Sequence, residues 1–257
     1  MKKPRVLILY ATGTNRDMDL AAAFTLAGAD PEIVPLNLLK DGRKNWQDYQ
    51  ILALPGGFSY ADALGAGKLL AIDLNSYFST QINEFIAKGK AVIGICNGFQ
   101  ALVKSGILPG NIDNASTLTF NQAGHFECRW VAVRPQSNKC IWTRGLQSII
   151  QCPVSHGEGN FKIKADNGLQ TLVENDQVAL VYSFSDGSPA NQQYPENPNG
   201  SSLDIAGICN FSGNILGLMP HPENHIYAYQ NPQWTRNVQP FSGLPLFING
   251  VNYASQL

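Results

Sequence analysis

The sequence predicts an α/β fold: a mostly parallel sheet with helices on both faces and extra β-strands in the second half. Three observations carry this. Over the first 110 residues, short apolar runs alternate with helix-spaced segments, the β-α-β rhythm of a parallel sheet. Those runs are continuous rather than alternating in polarity, as strands covered on both faces require. Further along, strand-like segments follow one another with glycine and asparagine turns between several of them.

"RVLILYA", residues 5 to 11, is the first buried strand. Asp17 is placed to cap the next segment, where Leu20, Ala23, Phe24 and Ala27 recur at helical spacing until Gly28 stops them. "EIVPL", "ILALP" and "AVIGIC" are the second, third and fourth strands, and "SYFSTQINEFIAKG" is an amphipathic helix ending at Gly89. After the fourth strand, Phe99, Leu102 and Val103 share a helix face that Gly106 ends. "HFECRWVAVRP", "FKIKA", "QVALVYS", "IAGICNF" and "NILGLMP" are strand-like. "PLFINGVNYASQL" is a last helix, weakened by Gly250. Residues 186–203, "DGSPANQQYPENPNGSSL", have no apolar period and contain three prolines, which predicts a surface excursion. There is no internal repeat, so residues 1–257 are expected to form one domain, with a C-terminal extension after 224.

The composition narrows the function. A net charge of −1 offers no polyanion-binding surface, so no nucleic-acid partner is expected. No run approaches the roughly 18 apolar residues of a membrane span. The apolar run Val6–Ala11 behind two lysines is too short for a signal peptide, so the chain is expected in the cytoplasm, off the membrane. Cys96, Cys128, Cys140, Cys152 and Cys209 form no C-x-x-C pair, so neither a metal site nor a disulfide framework is expected. The sequons at Asn114, Asn199 and Asn210 are chance matches. "GAGK" at 65 to 68 lacks the P-loop pattern, with Asp62 and Leu69 where glycine and Ser or Thr belong, so no ATP site is expected here.

The chemistry gathers at "GICNG". Gly94-Ile95-Cys96-Asn97-Gly98 has the spacing of a nucleophile elbow, in which glycines two places either side relieve a sharp strand-to-helix turn. A helix N-terminus at the sulfur favours the thiolate, and the Asn97 amide would face an oxyanion formed beside it. From these five residues alone, Cys96 reads equally well as a buried apolar side chain. A thiol nucleophile needs a proton shuttle, and two of the four histidines sit in His-x-acid pairs: His156 in "HGE" and His221 in "HPE". "NILGLMPHPE" delivers His221 from a strand end, with Glu223 placed to orient its ring; "SHGEGNF" reads as a glycine-rich binding loop. His125 and His225 read as surface or packing histidines. The Gly57 N–H in "PGGFS" is a candidate second oxyanion donor, although the same glycine pair also suits a plain turn.

These motifs, in this order, resemble those of class I (triad) glutamine amidotransferases of flavodoxin-like architecture. "PGGFSYAD", "CNGFQALVKSGILPG" and "SHGEGNF" are most similar to the glutaminase components of phosphoribosylformylglycinamidine synthases in purine biosynthesis. The resemblance implies that Cys96 attacks glutamine, His221 protonates departing ammonia and Glu223 orients His221. It also implies that Gln100 contacts the substrate and that His156, Gly157, Glu158, Gly159, Asn160 and Phe161 hold its backbone end. The implied partners are a separate synthase subunit, which would carry ATP and magnesium, and a small accessory subunit. The loop "PGGFSY" is expected to be ordered by the docking synthase. Three features depart from the family pattern: "ADALGAGKLLA" lacks a common arginine and is nearer to the fused, single-chain synthases, "HPEN" has Asn224 where arginine is familiar, and the 186–203 excursion and the tail after 224 are longer than expected. The competing readings are a glutaminase serving another acceptor, a cysteine-based stress sensor of related architecture, and a non-catalytic flavodoxin-like regulatory subunit.

Overall fold

The computed structural model describes residues 3–110, 116–164, 167–236 and 241–257. The first half forms β1 (Arg5–Tyr10), α1 (Asp17–Leu26), β2 (Asp30–Pro35), α2 (Leu36–Lys40), β3 (Ile51–Leu54), α3 (Lys68–Tyr77), α4 (Ser79–Ala87), β4 (Ala91–Ile95) and α5 (Asn97–Lys104). The second half adds β5 (Ser116–Thr119), β6 (Glu127–Pro135), β7 (Ile150–His156), β8 (Asn160–Ile163), α6 (Gly168–Glu174), β9 (Val178–Ser183), β10 (Ile205–Cys209), β11 (Ile215–Leu218) and α7 (Leu244–Ala254). A nine-stranded sheet runs β2-β1-β3-β4-β11-β10-β9-β6-β7. The pairings from β2 to β11 are parallel, and those from β11 to β7 are antiparallel. The α/β sheet is therefore present, and the second-half strands extend it. β5 and β8 form a separate antiparallel pair.

Most of the continuous apolar runs are buried: every residue of β3, β4, β10 and β11 is, and β1 is from Val6 to Leu9, whereas β2 at the sheet edge is only partly covered. Helices α1 and α7 pack on one another over one face, while α3 rests on α5 over the other. Gly250 of α7 is a close-approach residue, since a Cβ there would lie 2.1 Å from the Trp142 ring. That contact is why a helix with an interior glycine still forms.

Several local expectations change. Asp17 is the first residue of α1 rather than its cap; Arg16 holds the cap position without a side-chain capping bond, its guanidinium donating to Asp19 instead. The expected helix over "SYFSTQINEFIAKG" is divided, with Ser76 and Tyr77 ending α3 and α4 starting at Ser79. The break at Phe78 buries that ring 5.3 Å from Trp46. Strand β7 is an addition: its inward residues Ile150, Cys152, Val154 and His156 alternate with half-buried ones. Pro153 in its middle is tolerated because β7 is a sheet edge.

The excursion at 186–203 is only partly a surface segment. Residues 191–195 are exposed, but Asn197, Asn199 and Ser201 are buried. Ser201 Oγ accepts from the Phe161 N–H at 3.0 Å and Asn197 Oδ1 from the Gly200 N–H at 2.9 Å, so the chain folds back largely by polar contacts, with Ala190 joining the apolar core. Among the sequons, Asn199 and Asn210 are buried; Asn114 lies outside the described residues. After 224 the chain returns to the sheet as α7. Among the described residues, no helix is long and apolar enough to cross a membrane.

Candidate active site

Strands β4 and β11 are parallel neighbours with Ile95 opposite Leu218, and the Cys96 N–H donates to the Leu218 carbonyl at 2.7 Å. Their carboxyl ends therefore place Cys96 and the turn carrying His221 on one rim. This is where open α/β sheets gather functional groups.

Cys96 sits at φ 49° and ψ −104°, a strained conformation at the junction of β4 and α5. The flanking glycines make that bend possible. A Cβ on Gly98 would lie 2.1 Å from the Leu54 carbonyl oxygen, and one on Gly94 would lie 2.6 Å from Leu102 Cδ1. Helix α5 is then buried on all sides from Asn97 to Val103, rather than along one face.

His221 and Glu223 are both buried, with Nδ1 2.7 Å from Glu223 Oε1, while the Cys96 thiol lies 3.7 Å from the Ser155 carbonyl oxygen. Burial is the largest influence on His221 and works against its cation. The Glu223 charge and hydrogen bond, with the nearby Cys96 sulfur, outweigh it and push His221 up to about 10. The pairing with Glu223 thus makes the ring a stronger base and favours its protonated form. Asn224, where the family pattern has arginine, donates to Asp19 Oδ2 at 2.9 Å and ties this turn to α1.

The backbone of Gly56 lies against the pair: a Cβ there would be 2.6 Å from His221 Cε1 and 3.5 Å from Cys96 Cβ. Among the described residues, no acceptor engages the N–H of Gly57 or of Asn97. Both candidate oxyanion donors are therefore unengaged, Gly57 lining the pocket with Cys96 and Asn97 following Cys96 directly. The Asn97 side chain holds the facing loop in place. Its Oδ1 accepts from the Ser59 N–H at 3.2 Å and from the Ser59 hydroxyl, while its Nδ2 donates to Asp62 Oδ1 at 2.8 Å and Gln100 Oε1 at 3.2 Å.

A pocket of about 170 Å³ opens over the sulfur, lined by Asp62, Cys96, Gln100, Ser155, His156 and Glu158, with Gly57 and Gly157 also contributing. Gln100 Nε2 donates to the Glu158 carbonyl at 2.7 Å, joining α5 to the "HGEG" turn. The expected binding stretch divides here. His156, Gly157 and Glu158 reach the pocket, whereas Gly159, Asn160 and Phe161 do not line it. The last two enter β8, where Phe161 stacks on Phe99 at 6.4 Å as packing.

His156 is not a second proton shuttle. Asn121 Nδ2 donates to the carbonyls of His156 and His125, at 2.8 and 3.0 Å, which turns its Oδ1 toward the Gly159 N–H and His156 Nδ1. This network assigns the proton to Nδ1. Burial, then the His221 charge, pushes His156 down to about 3. A histidine held neutral supports stability above its unfolded pKa and loses that support as pH falls below it. Between pH 7.5 and pH 5, this group is expected to cost the fold roughly 2 kcal/mol that a His156→Gln variant does not lose. Urea midpoints at the two pH values measure the difference; equal slopes in both proteins would show that His156 is not held neutral.

His125 is largely exposed and pairs with Glu127, while His225 is fully buried, as a surface and a packing histidine should be. "GAGK" is the backbone junction into α3, with Gly67 packed against Gln100 and Ala101. Among the described residues, no group of three or more His, Cys, Asp or Glu is arranged to hold a metal ion. Asp62 and Asn121 belong to the site and were not singled out from the sequence.

The chain matches the family model of the CobB/CobQ-like glutamine amidotransferase domain over residues 3–254. It is 53% identical to the phosphoribosylformylglycinamidine synthase subunit PurQ of Treponema denticola, over 98% of this chain and 99% of that protein. It is 42% identical to the subunit of the same name from Methanococcus maripaludis, over 97% of each. Among solved structures, a chain of PurLQS from Thermotoga maritima superposes with a TM-score of 0.75 at 30% identity, covering 98% of this chain and 99% of that one. A glutamine amidotransferase from Thermotoga maritima, 15% identical with a TM-score of 0.57 over the full length of both chains, shares the fold. A nucleophile elbow facing a His–Glu pair is what such a fold needs for amide chemistry, and with matches spanning nearly the whole length, this chain belongs to the CobB/CobQ-like glutamine amidotransferase family.

Proposed function

We propose that this chain is the glutaminase subunit of phosphoribosylformylglycinamidine synthase, with Cys96, His221 and Glu223 as its catalytic triad. The observation that carries the triad is the shared rim: parallel β4 and β11 bring the elbow sulfur to a His221 already paired with Glu223. Cys96 gives its thiol proton to the ring of His221 as Sγ attacks the side-chain carbonyl carbon of glutamine, and the N–H groups of Asn97 and Gly57 receive the oxyanion. The C–N bond breaks as His221 gives its proton to the departing nitrogen, releasing ammonia and leaving a glutamyl thioester. His221 then takes a proton from water, which attacks the thioester and frees glutamate and the thiol. Glu223 holds Nδ1 protonated throughout.

The acceptor reading rests on end-to-end similarity to subunits that carry that name. The ammonia passes to a separate synthase subunit holding ATP and magnesium, which converts formylglycinamide ribonucleotide to the amidine, with a small accessory subunit in the complex. This chain needs no cofactor for its own half-reaction. Its five free cysteines accord with a reducing, cytoplasmic setting.

The test is glutamate release by the chain alone and with the matching synthase, accessory subunit, ribonucleotide, ATP and magnesium. Glutamate and amidine formed in equal amounts are expected. A synthase that runs on free ammonia but draws nothing from glutamine through this chain would overturn the reading.

A further inference from the structure

We infer that Asp62 is the residue that recognises the α-ammonium group of the substrate, and that it thereby selects a free amino acid over other carboxamides. The inference rests on the glutaminase reading of the pocket and adds to it a residue that determines specificity.

Two carboxylates line the pocket, Asp62 and Glu158, and neither Lys nor Arg does. Their surroundings differ. Glu158 is compensated from outside the pocket: Lys104 Nζ lies 3.4 Å from Oε2, and the Ala66 N–H donates to Oε1 at 3.3 Å. Asp62 Oδ1 accepts from the Asn97 amide at 2.8 Å, and among the described residues no cation pairs with it directly. Burial raises the Asp62 carboxyl above its ordinary range and the Glu158 charge adds to this, against its hydrogen bonds and the Lys104 charge, which is itself engaged by Glu158. A substrate cation would relieve this incompletely compensated charge.

The backbone points the same way. Tyr60, Ala61 and Asp62 follow one another at φ 56°, 56° and 51°, a left-handed turn made without glycine. Each such residue costs about 1 kcal/mol or more, and runs of this kind persist where the surroundings hold them in place. Here they are held at both ends by one side chain, since Asn97 bonds Ser59 and Asp62 together. Asn97 follows the nucleophile directly, so the device that fixes Asp62 also fixes its position relative to Cys96. An amino acid whose carboxamide meets the sulfur has its ammonium only a few bonds away, within the same small pocket that Asp62 lines.

The test compares Asp62→Asn with the wild type, each in complex with the synthase and its substrates. Asparagine is isosteric, keeps the acceptor for Asn97 and tolerates the left-handed conformation, so the charge is what changes. Two reagents are used: azaserine, which carries an α-ammonium, and iodoacetamide, which does not. Alkylation is read by mass at the Cys96 peptide, because Cys128 is exposed and also reacts. Azaserine labelling of Cys96 is expected to slow roughly 10- to 100-fold in the variant, the range for losing a hydrogen bond to a charged group. Iodoacetamide labelling should be unchanged. KM for glutamine should rise by a similar factor, while turnover of glutaramate, which lacks the α-ammonium, stays level. Equal slowing with both reagents would make Asp62 a structural residue and overturn the inference. So would azaserine labelling that the substitution leaves intact. A wild-type protein that azaserine fails to label in preference to iodoacetamide would instead overturn the glutaminase reading itself.

Discussion

Replacing Cys96 by alanine is expected to abolish glutamine-dependent turnover, a loss on the order of 10⁴-fold or more, as when the nucleophile of a triad is removed. The variant should fold. Alanine meets the same strain at φ 49° that cysteine does, and the glycines that relieve the bend are untouched. Cys96 is 5% exposed and lines a pocket, so removal of its sulfur enlarges an existing space rather than opening a new void in the core. The complex should still form the amidine when ammonium chloride is supplied, because the acceptor chemistry belongs to the other subunit. Glutamate release and ammonia-driven synthesis, measured on one preparation, separate the two half-reactions. Glutaminase activity that survived the substitution would mean that another residue attacks the amide.

The parallel half of the sheet was legible in the sequence because burial on both faces leaves uninterrupted apolar runs, and β1, β3 and β4 are such runs. The elbow was legible for a related reason. Close approach of two backbones can be met only by removing side chains, and glycine at 94 and 98 records that need. His221 followed from a strand end and a His-x-acid spacing, both local features. What was not legible depends on contacts between distant segments. Strand β7 alternates around Pro153 and is a strand only because it has an edge position beside β6. The "HGEGNF" motif is contiguous in sequence, but its last residues leave the pocket to pair with β5. Asn121 is some 35 residues from the histidine it fixes. Asp62 lies in a left-handed turn of Tyr, Ala and Asp, types that carry no strong signal for that conformation, and its meaning comes from Asn97 and the neighbouring carboxylate.

The Glu223→Gln variant should separate charge from packing at the triad. Glutamine fills the same buried volume and can still accept from His221 Nδ1, so the ring need not move. What disappears is the charge that sustains the imidazolium. Burial, the largest influence on His221, would then be less strongly opposed, and its pKa would fall from about 10. Without that charge the ring is a weaker base toward the Cys96 proton that it must take and then give to the departing nitrogen, so kcat is expected to drop about 10³- to 10⁴-fold, as when the acid of a triad is neutralised. Stability supplies an independent readout. A histidine whose folded pKa is raised contributes fully below its unfolded value, near 6.5, and loses that contribution as pH rises through its folded value. The wild type should therefore lose on the order of a few kcal/mol from this group between about pH 6.5 and pH 10, and the variant clearly less. Denaturation midpoints across that interval, set beside kcat at neutral pH, test both effects together. If the alkaline decline were the same in both proteins, Glu223 would not be what holds the proton on His221. If the decline flattened while kcat was kept, the proton would be held there but would not be the one that leaves with ammonia.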